Sequence, residues 1–167
     1  MRRALPWLTA AVVILLDRLT KAAVLHWMVH GSWINVLPGV TLTHVHNRGI
    51  AFSLFADGGP VTRVLLQAVI VAAVVIIAWT VYRHGDRGRL TSVALGLILG
   101  GALGNLFDRI LYGWVVDFIH LWIRFGGGTY SWPDFNVADS AITIGAALLI
   151  LHELRRSGET EHAPDSD

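Results

Sequence analysis

Apolar residues fill positions 61–82, where only Gln67 interrupts the run from 65 to 78, and this meets the roughly 20 residues needed to span a bilayer as a helix. Two further runs of the same kind cover about 90–111 and 136–154. An N-terminal run over about 4–26 begins after Met1-Arg2-Arg3 and carries Asp17-Arg18-Leu19-Thr20-Lys21 in its second half. It has no small-residue cleavage site, so it reads as a retained helix and not as a signal peptide. The pattern therefore predicts an all-α membrane protein with four transmembrane helices in a single domain over 1–156. The short polar, acidic stretch 157–167 is expected to be a disordered cytoplasmic tail.

Between these helices the pattern changes. The β-branched residues over 36–45, with Pro38-Gly39 among them, predict a small β-hairpin or sheet on the outer membrane surface. The two long connections, about 26–60 and 112–135, are too polar to span. Trp27, Trp33, Trp114, Trp122 and Trp132 within them suit an interfacial belt. Arginines fall at Arg2 and Arg3, at Arg83, Arg87 and Arg89, and at Arg155 and Arg156, all on one side of a four-crossing chain. That side should be cytoplasmic, with both termini on it.

Composition agrees. The 167 residues are 54% hydrophobic and 15% charged, above the roughly 45–50% apolar content of soluble domains. A formal net charge of +1, with arginines in short groups, offers no field for nucleic acid. There is no cysteine, so disulfides, thiolate metal sites and a cysteine nucleophile are excluded.

Ionisable side chains inside spanning helices cost at least about 2.5–3.5 kcal/mol each on insertion scales and so require a partner or a purpose. Asp17 and Lys21, the sole lysine, share one face of the first helix, either as an ion pair that lowers that cost or with a direct role. On the third helix Gly96, Gly100 and Gly104 form a smooth stripe, a packing signal between helices or between chains, which Asp108 continues. Asn105 and Arg109 share another face and should look into a polar cavity. Asp117, in Val115-Val116-Asp117-Phe118, and Asp139, in Phe135-Asn136-Val137-Ala138-Asp139-Ser140, flank the outer connection at one membrane depth. Alone, each has an ordinary explanation, as a loop acid and as a helix-terminal acid favoured by the macrodipole. Together, beside Asn105, Arg109 and Asn136, they suit a pair in which one carboxyl keeps a proton while the other acts as base, the asymmetry peptide hydrolysis uses.

Other constellations are weaker. His44 and His46 have same-face strand spacing but no evident third metal ligand, and read as surface residues. His152-Glu153 begins a zinc-protease helix, but Arg156 stands where the second histidine belongs. A Ser/Lys dyad would need Lys21 beside Ser53 or Ser140, which nothing in the sequence places together. The best competing class is a proton-coupled membrane carrier, against which stand the clustering of the acids at one edge and the absence of an inverted repeat.

Five blocks in order, namely residues 17–21, Asn47-Arg48-Gly49-Ile50-Ala51-Phe52-Ser53, the 100–109 run, 115–118 and 135–140, resemble the lipoprotein signal peptidase (signal peptidase II) family almost throughout the chain. The resemblance implies an aspartic endopeptidase of the bacterial inner membrane that removes the signal peptide of prolipoproteins, cutting just before a diacylglyceryl-modified cysteine. It implies Asp117 and Asp139 as the catalytic pair, Asn47, Asn105, Arg109 and Asn136 along the substrate site, and Asp17 and Lys21 as structural support. Asp108 is grouped with that support, as is Gly49, whose backbone freedom suits the bend. No cofactor or metal is expected. The expected partners are prolipoprotein and membrane lipid, with the chain acting as a monomer and the site on the extracytoplasmic side.

Overall fold

A computed structural model describes residues 2–49, 59–85 and 88–161, apart from the side chains of 2, 60, 63, 66 and 156–161. Residues 50–53 of the second family block, Arg87 and the tail 162–167 lie outside the described residues. After a turn of 3₁₀ helix come α1 (Leu5–Trp27), β1 (Trp33–Leu37), β2 (Val40–Asn47), α2 (Pro60–His84), α3 (Arg89–Tyr112), β3 (Val115–Phe125), β4 (Gly128–Ser131) and α4 (Val137–Glu161). Each helix lies within a few residues of its sequence expectation at the start. The exception at the other end is α4, which runs seven residues past the expected 154, through Arg155, Arg156 and the Ser157-Gly158 pair to Glu161. The stretch 157–161 is thus helical, not part of a disordered tail. Among the described residues, three helices are long and apolar enough to cross a membrane, over Gln67–His84, Arg89–Tyr112 and Val137–Arg155. Asp17, Arg18 and Lys21 set α1 apart from them.

The helices pack around α3, and the glycine stripe explains how closely. A Cβ at Gly96 would come within 2.7 Å of Thr9 Cβ, one at Gly100 within 2.7 Å of Val13 Cβ, and one at Gly104 within 2.8 Å of Asp17 Oδ2. The stripe is therefore filled by α1 of the same chain, and not held open for another. On the opposite side a Cβ at Gly101 would strike the Ala138 carbonyl, while Gly145 of α4 sits against Ala94 O. Ala10, Val81, Leu95 and Leu99 form the apolar core between α1, α2 and α3. α2 leans on α3 and leaves Val64, Leu65, Val69, Val75 and Ile76 exposed, a surface suited to lipid.

The four strands form one antiparallel sheet in the order β1-β2-β3-β4. Pro38 and Gly39 (φ +87°) make the β1–β2 turn, as their sequence predicts. The second hairpin was not predicted as such: residues 115–131, expected only as an aromatic connection, contain β3 and β4 joined through Gly126 and Gly127 (φ +60° and +82°). Register gives the outer sheet two unlike faces, because directly opposed residues point the same way. One carries Ile34, Leu42, Ile119, Leu121, Ile123 and Tyr130, and the other Asn35, Thr41, Thr43, His120, Trp122, Arg124, Thr129 and Ser131.

Candidate active site

The first turn of α4 is built by a reciprocal cap. Asn136 Oδ1 accepts from the Asp139 N–H at 3.0 Å, and Asp139 Oδ2 accepts from the Asn136 N–H at 3.2 Å. This is the geometry of a capping box, with the acid three residues into the helix answering the cap. A third donor at this helix end, Ala138 N–H, bonds Asp17 Oδ1 of α1 at 3.1 Å. Two helix-terminal donors that would otherwise be unsatisfied in an apolar setting are thereby held by side chains, one from a different helix.

Asp117 reaches the same place from β3. Its Oδ1 accepts from Asn136 Nδ2 at 2.7 Å, and its Oδ2 from Asn47 Nδ2 at 2.9 Å, from the end of β2. Asp139 Oδ1 accepts from Asn105 Nδ2 at 2.7 Å. Asn136 Nδ2 also lies 3.2 Å from Asn105 Oδ1, so two asparagine amides stand between and beside the two acids. Asn136 is wholly buried and Asp117 is 2% exposed, whereas Asp139 is half-buried. Burial first, and then the charge of Asp139, push the Asp117 carboxyl up to about 7, against the opposing hydrogen bonds from Asn47 and Asn136.

Below the pair lies a buried ion network. Lys21 Nζ sits 2.9 Å from each of Asp17 Oδ2, Asp108 Oδ2 and Asn105 Oδ1. Asp108 also takes Arg18 Nη2 at 2.6 Å and the Val116 N–H at 3.2 Å, which ties α1 and α3 to the strand position beside Asp117. The Asp17–Lys21 relationship left open by sequence is therefore both an intrahelical ion pair and a brace for the site. Arg109 donates from Nη2 to Gly49 O at 2.6 Å and from Nη1 to Asn105 O at 3.3 Å. Gly49 N–H closes back on Asn47 Oδ1 at 2.9 Å. Asn47 and Gly49 thus hold the end of β2 against both Asp117 and Arg109.

These groups form the polar end of a cavity of about 670 Å³ whose walls are apolar: Ile70, Ala73 and Val74 from α2, Ala102 from α3, and Ile142 and Ile144 from α4. Asn47, Asn105, Arg109, Asp117 and Asp139 all line it. Asn136, Asp17, Lys21 and Asp108 are buried behind that lining.

Sequence reasoning missed two members of this neighbourhood. Arg18 partners Asp108 and stacks over Phe107 at 4.8 Å; the signal was a third charge beside Asp17 in a spanning helix. Asp134, next to the Phe135-Asn136 block, lines the cavity and accepts from Thr43 Oγ1 at 2.5 Å. One of the two histidines is corrected. His44 is buried with Nδ1 against Met28 O at 2.9 Å, and His46 stacks on Trp114 with ring centres 3.3 Å apart. His44 is thus a packing group, while His46 stays partly exposed, in keeping with a surface residue; burial first, and then the neighbouring His30, His44 and Arg48, lower His46 to about 4, so it is neutral at physiological pH. Of the tryptophans, Trp27, Trp33 and Trp132 are exposed as a belt requires. Trp114 and Trp122 are more buried, Trp114 stacking on His46 and Trp122 Nε1 donating to Thr41 Oγ1 at 3.1 Å.

Comparison with known proteins identifies the family. The family model described as signal peptidase (SPase) II matches residues 9–155. The chain is 49% identical over 152 residues to the lipoprotein signal peptidase of Paraburkholderia phymatum, covering 90% of this chain and 89% of that one. It is 47% identical, with the same coverage, to that of Burkholderia thailandensis. Among solved structures it superposes on a bacterial membrane enzyme determined by the in meso method at 2.3 Å resolution. That match has a TM-score of 0.79 and 28% identity, over 97% of this chain and 93% of the other. A second in meso bacterial membrane enzyme gives a TM-score of 0.75 at 31% identity, covering 89% of this chain and 92% of that one. The buried Asn136 that joins two acids lining an otherwise apolar cavity thus occurs in a chain that belongs to the signal peptidase II family.

Proposed function

We propose that Asp117 and Asp139 are the catalytic dyad of a membrane aspartic endopeptidase that removes signal peptides from prolipoproteins, cutting just before a diacylglyceryl-modified cysteine. The observation that carries this reading is Asn136. It donates to Asp117 from its side chain and to Asp139 from its backbone, and so holds two carboxyls at one end of a cavity with lipid-like walls.

Asp117, raised to about 7, still carries its proton in a large fraction of molecules at neutral pH and donates it toward the carbonyl oxygen of the scissile bond. Asp139, facing Asn105 Nδ2 and the Asn136 N–H, is the carboxylate that removes a proton from the attacking water. Water oxygen bonds to the carbonyl carbon and the tetrahedral intermediate collapses with cleavage of the C–N bond. The proton held by Asp139 goes to the leaving amine, and Asp117 recovers its own. Asn47 and Asn136 orient Asp117, while Arg109 and Gly49 close the cavity beside the bond. Two carboxyls and water complete this chemistry.

The substrate class matches the cavity. An apolar signal helix suits the space between α2 and α4, and acyl chains suit walls such as Ile70, Val74 and Ile142. In this reading α1 is a fourth crossing, its three charges satisfied by Asp108 and by each other, and both termini are cytoplasmic. The sheet then lies on the outer surface with its apolar face toward the bilayer, in the bacterial inner membrane. The glycine stripe, used within the chain, supports a monomer.

The test is conversion of a diacylglyceryl-modified prolipoprotein, followed on a gel, by purified Asp117→Asn and Asp139→Asn in detergent. Both variants should be almost inactive while keeping the helical content of the wild type. Wild-type turnover by either one would refute the dyad.

A further inference from the structure

The polar face of the sheet holds a second groove, of about 410 Å³, between the β1–β2 and β3–β4 hairpins. Asn35, Thr41, Thr43, Thr129 and Ser131 line it with hydrogen-bonding side chains, and Trp122 and Arg124 form its outer part, the guanidinium 5.3 Å above the indole. Asp134 joins it to the dyad's cavity: it borders both, accepting from Thr43 and lying 3.4 Å from His120 Nδ1. Asp117 itself alternates with Ile119 and Leu121 on the other face of β3, so a chain leaving the dyad reaches the groove past Asp134.

A chain cleaved at the dyad has two arms of opposite character. The apolar arm fits the cavity between the helices, which leaves the arm after the bond to run outward over this face. We infer that the groove is a subsite for the first residues after the cleaved bond, bound as an extended polar peptide, with Arg124 selecting acidic residues at its far end. The inference rests on the proposed function. Alternating side chains of an extended segment would meet the hydroxyl row of Thr41, Thr43 and Ser131. Seven residue steps separate Asp117 from Arg124 along β3, about 20 Å at roughly 3.3 Å per residue with allowance for the irregular pairing near Phe118. An extended substrate therefore brings about its seventh residue to the guanidinium.

The experiment crosses substrate charge with enzyme charge. Full-length wild type, Arg124→Gln and Arg124→Glu are assayed in detergent on diacylglyceryl-modified prolipoproteins bearing Asp or Lys at the seventh residue after the bond, or at the fifteenth. The wild type should show a KM about threefold lower for Asp than for Lys at the seventh position, in line with an exposed pair worth at most about 1 kcal/mol. Arg124→Gln should abolish the preference and Arg124→Glu reverse it, with kcat similar for the paired substrates. The preference should shrink as salt is raised and be absent at the fifteenth position. The subsite is refuted by a wild type that cleaves without charge preference, by a preference identical in all three enzymes, or by one equally strong at the fifteenth residue. Failure of the wild type to cleave any of these substrates would instead refute the proposed function.

Discussion

Lys21 Nζ lies 2.9 Å from Asn105 Oδ1, across 84 residues of sequence, and this contact fixes which way the Asn105 amide faces. With its oxygen held by the ammonium, Asn105 must present Nδ2 to Asp139, which it meets at 2.7 Å. Lys21 therefore sets the Asn105 amide against Asp139 while pairing with Asp17 and Asp108.

Replacing Lys21 by Met should uncover both functions. Removing one partner of a buried ion pair strands the other charge, at about 3–5 kcal/mol. Lys21→Met should unfold at markedly lower temperature and turn over at least about tenfold more slowly. In Asp17→Asn/Lys21→Met the stranded charge of Asp17 is gone, so part of the stability returns. Turnover should stay low because Asn105 Oδ1 is left with the longer 3.2 Å contact from Asn136 Nδ2 to orient it. Thermal unfolding followed by circular dichroism, beside gel-based turnover, separates the two effects. Recovery of turnover together with stability would show Lys21 to be structural only.

The pH dependence follows from Asp117. Its carboxyl is raised from the ordinary 3.8 to about 7, so the folded protein holds this proton more tightly than the unfolded chain. Protons bound by the native state exceed those of the unfolded state between these values, so this group's contribution to stability falls as pH rises from about 4 to about 7, then levels off. Activity needs one proton on the pair, so kcat/KM should decline above about pH 7. Asn47→Leu removes a donor that favours the charged Asp117, and should shift this alkaline limb to higher pH. A shift to lower pH, read from kcat/KM profiles, would contradict the assignment of Asp117 as the proton holder.

Helix positions and the grouping of Asp117, Asp139, Asn105 and Arg109 around one cavity were legible because each depends on local pattern: an apolar run, a four-residue spacing, or an acid where lipid should be. Partners distant in sequence were not legible. Nothing in the one-dimensional pattern joins Asp17 to the Ala138 N–H, 121 residues away, or Arg18 to Asp108. The β3–β4 hairpin was missed for a different reason. His120, Trp122 and Arg124 alternate with Ile119, Leu121 and Ile123, a clear period of two, but the aromatic content drew the reading toward a membrane belt. His44 misled because same-face spacing with His46 suggests a ligand or a surface, whereas its burial depends on a contact with Met28 O that the spacing does not show.

Asn136 should be the most sensitive of the uncharged residues. Asn136→Ala removes the cap from α4 and the 2.7 Å donor from buried Asp117. Loss of an N-cap costs about 1 kcal/mol, and an unsatisfied buried acceptor about 1–3 kcal/mol more. The variant should be less stable by a few kcal/mol, and slower by at least about a hundredfold because Asp117 loses its tether to the start of α4, although the backbone N–H that serves Asp139 remains. Asn136→Ser restores a capping oxygen without a reach to Asp117. It should recover much of the stability in thermal unfolding while turnover stays low; matching recovery of both would mean that the cap alone matters.

The glycine stripe gives a prediction about packing independent of catalysis. A Cβ at Gly100 would lie 2.7 Å from Val13 Cβ, 2.8 Å from Ala10 O and 2.9 Å from Ala10 Cα. Two of these three atoms are backbone and cannot rotate away, so α1 must move out by several tenths of an ångström along its contact with α3. Helix propensity favours Ala over Gly by roughly 1 kcal/mol, but overpacking of this kind costs about 1–3 kcal/mol. Gly100→Ala should therefore be destabilised, though modestly. Val13→Ala leaves Cβ in place and so gives no relief, whereas Ala10→Gly removes no backbone atom and gives none either. Neither second change should rescue the variant in thermal unfolding. Because the strain propagates down α1 to Asp17 and Lys21, turnover at a temperature where the variant remains folded should fall as well. A Gly100→Ala protein as stable as the wild type would mean that α1 and α3 do not pack as closely as these distances require.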